Sequence, residues 1–381
     1  MGRMISHGMN VEDFMELTRR TECNCDCNGK TFEMVPMDQR EDFCLVATEL
    51  GDRNTAYAEK MEAEGNTLTA ANFYSRACAC YRIADYALHG LDDERVNVYT
   101  KLLATFKKSK ELSSDNFEMV EIPFGEFSIP AYFCIPDNCP SDTPVLVFIP
   151  GATGFKEENY ASAYAFYQRG IPFIIFDGPG QGESLYFRKM YYTVDNYEKA
   201  CKAVIDFVKS DNRVGDKVAL YGISYGGYLA TRCACFLNDD ICGLIVRGGC
   251  DKTDDLTRHP WVGKEDFYLY GFMEKFNEYD IEKAREISSS MTCEEYLGNI
   301  TVPTLIIHSE TDPILGTEGA KRIFNKISST DKYYAEYPGG SHCCMDQHDT
   351  VSQLAADWMG KRMRGEVSVS YTHLTLPTIR L

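Results

Sequence analysis

Two hydrophobic rhythms divide this chain. Through residue 115, apolar positions return every three or four residues. The clearest case is NTLTAANFYSRACACYRIADYALHG (66–90), where Phe73, Ala77, Tyr81, Ala84 and Leu88 form one stripe and Arg76, Arg82 and Asp85 fall between them. That period lets an α-helix bury one face, and Gly90 is placed to close the helix at C′. Segments 41–65 and 93–110 carry the same rhythm, so residues 1–115 are predicted to form a helical domain, with only helical periods in it.

From residue 116 the rhythm shortens. FEMVEIPFGEFSIPAYFCIP (117–136) predicts a strand pair, and TPVLVFIPG (143–151) and IPFIIFDGPG (171–180) are continuous apolar runs of the kind a parallel sheet buries on both faces. KVALYG, ICGLIVRGG, VPTLIIHS and KYYAEYPGG continue the series, with amphipathic helices between them, among them ENYASAYAFYQRG and VDNYEKACKAVIDFVKS. This alternation predicts an α/β domain over 116–366 with a doubly wound, mostly parallel sheet. Residues 251–301 are far too many for an ordinary βα connection of about 2 to 6 residues, and they are rich in Asp, Glu, Tyr and Phe, so a helical cap insertion is expected there. The tail, 367–381, has no such period. Its VSYTHLTLPT looks like translated sequencing adapter, so a non-native tail is expected, with no function for His373 and the authentic C-terminus missing.

Charge and composition narrow the field of partners. The formal net charge of −18 repels nucleic acid and anionic lipid, and no stretch has the run of about 18 apolar residues that a membrane span requires. A cytoplasmic protein is expected, with a small molecule as its partner and neither nucleic acid nor membrane. The 16 cysteines are mostly scattered through apolar periodic segments, where Cys behaves as a small hydrophobe, so reduced thiols are expected. Cys23, Cys25 and Cys27 alternate in TECNCDCNGK, whereas structural zinc wants four ligands and usually CxxC pairs. That stretch reads as a surface loop, with no metal and no cofactor.

The chemistry begins at GISYGG (222–227), in which Gly222, Ser224 and Gly226 satisfy GxSxG after a strand and before a helix. A serine presented on such a sharp turn needs neighbours without side chains two positions away, and the helix N-terminus favours developing negative charge. A serine hydroxyl also needs a base and an orienting acid. Asp312 follows the strand in VPTLIIHSETDPIL, and His342 follows the last strand in KYYAEYPGGSHCCMD. Glu310 is the rival acid and His348 the rival base. His308 falls too early on its strand and reads as a packed histidine. The oxyanion hole is expected from the backbone N–H of Tyr225 and from Ala152 or Thr153 in the GATG loop. FDGPGQGES (176–184) is rich in glycine after a strand, but it lacks the GxGxxG spacing of a nucleotide site.

With these motifs in hand, residues 120–364 resemble the α/β-hydrolase superfamily. FYSRACACYRIADYAL in a helical leader, together with DGPGQGES and GISYGG, resembles the group containing the 2,6-dihydroxypseudooxynicotine hydrolases, fungal polyketide-shortening hydrolases and FrsA-like proteins. The resemblance implies cleavage of a ketone-adjacent C–C bond or an ester, with Ser224 as nucleophile, Asp312 as acid and His342 as base. It also implies a helical domain that closes over the site and often helps form a homodimer, and a further substrate-polarising carboxylate, sought among Asp251, Asp254 and Asp255.

Arg247 ends a strand on the catalytic edge, where it pairs either with an anionic substrate group or with one of those aspartates. Phe267, Tyr268, Tyr270 and Phe272 suit an aromatic or otherwise apolar acyl group, and equally a packed cap. The expectation is therefore a serine hydrolase. The alternatives are a serine peptidase of the prolyl-oligopeptidase type and a non-catalytic binding protein of the same fold.

Overall fold

The two rhythms become two compact units, 1–115 and 116–381. A computed structural model describes residues 8–25, 32–88, 90–113, 116–253 and 267–366. Residues 367–381, Cys27, Asp254 and Asp255 lie outside the described residues.

In the first unit, helices α1 (Val11–Thr21), α2 (Phe43–Ala63), α3 (Thr67–Ala87) and α4 (Asp93–Glu111) follow one another. Asp42 and Asp92 cap α2 and α4 by accepting the backbone N–H of Leu45 and Arg95. The purely helical reading is corrected by a short antiparallel hairpin, in which Cys23–Cys25 (β1) pairs with Phe32–Met34 (β2). The start of the stretch read as a surface loop is thus extended, paired backbone. The stripe on α3 is also wider than its period implied. Arg82 and Asp85 are buried with the apolar positions, and Asp85 is paired with Arg95 at 3.2 Å. The helix has its C-cap at Leu88, so Gly90, at φ 86°, falls beyond C′.

The second unit is built on an eight-stranded sheet in the order β10-β9-β8-β7-β5-β6-β4-β3. Strands β3 (Phe117–Phe124) and β4 (Phe127–Cys134) are antiparallel, and β4 meets β6 (Phe173–Phe176) antiparallel. From β6 through β5 (Val145–Ile149), β7 (Val218–Ile223), β8 (Gly243–Arg247) and β9 (Thr304–Ser309) to β10 (Lys332–Tyr337), every pairing is parallel. All residues of β5, β6, β7, β8 and β9 are buried, as continuous apolar runs require. Helices α5 (Lys156–Tyr167), α6 (Gly182–Tyr186), α7 (Asn196–Ser210), α8 (Tyr225–Phe236), α11 (Glu318–Lys326) and α12 (His348–Met363) connect or follow the strands.

Between β8 and β9 the described part of the long insertion holds α9 (Phe267–Phe276), α10 (Ile281–Ser290) and a 3-10 turn at Glu294–Asn299. Among the described residues no helix is long and apolar enough to cross a membrane.

Candidate functional site

Three loops at the C-terminal ends of parallel strands supply the side chains. The first is the turn from β7 into α8. Ser224 sits at its apex with φ 57° and ψ −125°, a conformation rarely held by a residue with a side chain. Sterics make the turn possible. A Cβ on Gly222 would overlap the carbonyl of Gly226, and one on Gly226 would overlap the carbonyls of Ile149 and Pro150. The glycines predicted from GxSxG are therefore required by contact, as the motif's mechanism demands. Ser224 N–H donates to Arg247 O at 2.8 Å, tying the turn to the end of β8.

The second and third loops bring the partners. Ser224 Oγ lies 2.8 Å from His342 Nε2, and His342 Nδ1 lies 2.8 Å from Asp312 Oδ2. Asp312 is buried and also accepts the backbone N–H groups of Ile314 (2.8 Å) and Leu315 (3.0 Å) through Oδ1. Its burial favours the neutral acid, but the attraction and hydrogen bond of His342 and the Leu315 amide outweigh it, holding the carboxyl down at about 2. Burial draws His342 the other way, and the Cys343 sulfur and the Asp312 carboxylate more than offset this, lifting the imidazole to about 10.

The rivals separate cleanly. Glu310 is exposed. His348 heads α12, with Nδ1 3.4 Å from Arg247 Nη2, and burial followed by the Arg247 charge lowers its pKa to about 4. His308 is buried on β9 and bonded to Gly316 O, with Nε2 3.8 Å from Asp312.

The GATG loop lies against the serine. A Cβ on Gly151 would stand 3.2 Å from Ser224 Cβ. Gly154 N–H donates to Gly151 O at 3.2 Å, closing the turn that carries Ala152 and Thr153. Tyr225 N–H is the first donor of α8, where helical geometry provides no intrahelical acceptor.

The sequence did not reveal what holds that loop. Gln181 Nε2 donates to Pro150 O at 2.7 Å, and Asp177 Oδ1 accepts Lys156 N–H at 2.8 Å, so the DGPGQGES segment grips the loop at both ends. Lys156 Nζ, buried, reaches Asp177 and Glu183 at 2.9 Å and Glu157 at 3.0 Å. The glycine-rich run after β6 was the visible signal, and its polar groups turn inward to the neighbouring loop.

Arg247 requires a correction. It ends β8 as predicted, but its side chain is fully buried and its donors go to main-chain carbonyls rather than to Asp251. Nε donates to Cys343 O at 2.8 Å and Nη2 to Cys344 O at 3.3 Å, so the donors are engaged inside the protein. Asp251, one of the aspartates considered for that pairing, is itself buried and paired with Arg322 at 2.7 Å.

The cap contributes apolar contact. Phe272 packs edge-on against Tyr225 with ring centroids 5.0 Å apart, and Phe276 meets Tyr192 at 6.0 Å. The side chains of Phe267, Tyr268 and Tyr270 lie outside the described residues. Among the described residues no group of three or more His, Cys, Asp or Glu could hold a metal ion.

Comparison with known proteins bears on the fold and the family. The profile described as the prolyl oligopeptidase family matches residues 158–365, more than half of the chain. A 2,6-dihydropseudooxynicotine hydrolase of Paenarthrobacter nicotinovorans is 24% identical over 312 residues, covering 79% of each chain. The hydrolyase poxO of Penicillium oxalicum is 31% identical over 196 residues, spanning 48% of this chain and 46% of its own. The crystal structure of the 2,6-dihydroxy-pseudo-oxynicotine hydrolase superposes with a TM-score of 0.82 at 22% identity, over 97% of this chain and 98% of that one. That likeness carries the fold. The chain is thus a hydrolase of the α/β-hydrolase fold, and it belongs to the prolyl oligopeptidase family.

Proposed function

We propose that the protein is a serine hydrolase that cleaves a ketone-adjacent C–C bond or an ester through an acyl-enzyme. The observation that carries this reading is the unbroken hydrogen-bond chain from Ser224 Oγ through His342 to Asp312. In the first step Ser224 Oγ attacks the substrate carbonyl and its proton passes to His342 Nε2, while Asp312 holds the imidazole by Nδ1 and stabilises the imidazolium. The oxyanion that forms is received by the Tyr225 amide and by that of Ala152 or Thr153. Collapse breaks the bond to the leaving group, an alkoxide or an enolate carbon, which takes the proton from His342 Nε2. Water then attacks the acyl-enzyme, giving its proton to His342, and Ser224 leaves as the hydroxyl with that proton restored.

The C–C reading is supported by the relative from Paenarthrobacter nicotinovorans, which aligns over 79% of each chain. Peptide cleavage is a second reading, and it rests on the description of the family. The reading includes a homodimer that acts on a small molecule in the cytoplasm, and light scattering on the eluted protein tests the dimer. The decisive experiment is Ser224→Ala, which is expected to abolish fluorophosphonate labelling and p-nitrophenyl ester turnover. Turnover that survives would refute the nucleophile assignment. Aryl diketones, aryl esters and aminoacyl-naphthylamides then rank the three bond types by kcat/KM.

A further inference from the structure

The loop that carries His342 is held in an unfavourable backbone conformation. Cys343 at φ 56° and Cys344 at φ 51° are consecutive residues in the left-handed region, where a Cβ is crowded. Neither is glycine, so something other than local sterics must stabilise the turn. The carbonyls of both residues are received by one guanidinium, that of Arg247, through Nε at 2.8 Å and Nη2 at 3.3 Å. Its Nη1 lies 3.5 Å from Ser352 Oγ, and Nη2 lies 3.4 Å from His348 Nδ1. The main chain of the same residue accepts the Ser224 N–H at 2.8 Å. Arg247 is therefore bonded to the nucleophile turn by its backbone and to the histidine loop by its side chain.

We propose that Arg247 is a positioning residue that latches the left-handed Cys343–Cys344 turn to the nucleophile turn and thereby sets the contact between Ser224 and His342. The inference rests on Ser224 and His342 acting as nucleophile and base. A planar fork suits the task because it can serve two carbonyls at once, whereas an ammonium is a single point donor on a flexible stem. Displacing a reacting group by about 1 Å can cost on the order of 100-fold in rate, so a latch of this kind acts on kcat.

Arg247→Lys and Arg247→Met are the variants to compare, with p-nitrophenyl butyrate as substrate and a fluorophosphonate as probe. The expected result is a fall in kcat of roughly 10-fold for Arg247→Lys and roughly 100-fold for Arg247→Met, with KM within about twofold of wild type. The second-order labelling rate should fall in step, while the titre of labelled sites at completion remains full. Adding Cys344→Gly to Arg247→Met should recover about tenfold of kcat, because glycine adopts the left-handed conformation without a latch.

An unchanged kcat in Arg247→Met would overturn the proposal, as would a glycine variant that recovers nothing. Loss of titratable sites with normal labelling of the remainder, or an Arg247→Lys protein that does not fold, would show a fold-wide role and also overturn it. Turnover that survives Ser224→Ala refutes the nucleophile assignment itself, and this inference with it, which separates the two failures.

Discussion

The Ser224 turn and the His342 loop meet the same difficulty by different means. Each places residues with side chains in left-handed backbone, Ser224 in one and Cys343 and Cys344 in the other. Around Ser224 the solution is local, since Gly222 and Gly226 leave out the atoms that would collide with neighbouring carbonyls. Around His342 the solution is remote, since the carbonyls of the turn are received by a guanidinium 96 and 97 residues away in sequence. Strain relieved by omitted atoms leaves a motif; strain relieved by a distant partner leaves none.

The largest effect is expected where His342 loses the carboxylate bonded to its Nδ1. Asp312→Asn should lower kcat by about 10⁴-fold, because an amide cannot hold the imidazole in the required tautomer and charge state. Steady-state kinetics on an aryl ester checks it, and a loss of only a few-fold would point to another acid. The Ser224 turn breaks sterically instead. In Gly226→Ala the new methyl overlaps two backbone carbonyls that cannot move independently of the sheet, so a loss of about 3 kcal/mol in urea unfolding is expected, together with loss of Ser224 labelling. Retained stability would mean that the turn can relax.

The pH dependence sharpens the electrostatics of the histidine loop. In the proposed mechanism His342 must be neutral to accept the serine proton, and its pKa is carried above the ordinary 6.5 toward about 10. The kcat/KM profile should therefore rise with pH along a limb alkaline of 6.5. In Asp312→Asn that limb should move to lower pH, because one of the groups that hold the proton on the imidazole is gone. The Asp312 carboxyl, held down at about 2, contributes stability that is present above pH 3.8 and lost as pH falls through 2. Asp312→Asn should accordingly unfold with a weaker acid dependence in that window. The smallest effect is reserved for Glu310→Gln. This side chain is exposed beside the acid loop, and kcat within about twofold of wild type is expected at such a surface site.

Much of the site was legible because α/β topology puts functional groups at the ends of strands. Ser224, Asp312 and His342 follow β7, β9 and β10 in the order the chain announces, and the loop after β5 arrives beside the serine. The reading failed where a side chain's direction mattered. Arg247 sits at the expected strand end yet points into the protein, because carbonyls from the His342 loop and a serine of α12 engage its donors. Arg82 and Asp85 fell on the polar side of a helical stripe and are nevertheless buried, since Asp85 finds Arg95 on the next helix. The CNC and FEM hairpin was not legible because its three-residue strands are too short to show an alternation.

The sequence alone determined what depends on near neighbours: the change from helical to strand periodicity at residue 116, the glycines that permit the Ser224 turn, and the order of serine, aspartate and histidine along the chain. Tertiary structure decided what depends on closing long loops. It chose Asp312 over Glu310 beside His342, and it assigned Gln181 and Asp177 to the GATG loop. It also buried Arg247 and turned its guanidinium onto the carbonyls of the His342 loop. The physical reason is that local sterics and burial period are fixed by residues a few positions apart, whereas the partner of a buried polar group is fixed only when the sheet brings distant strand ends together.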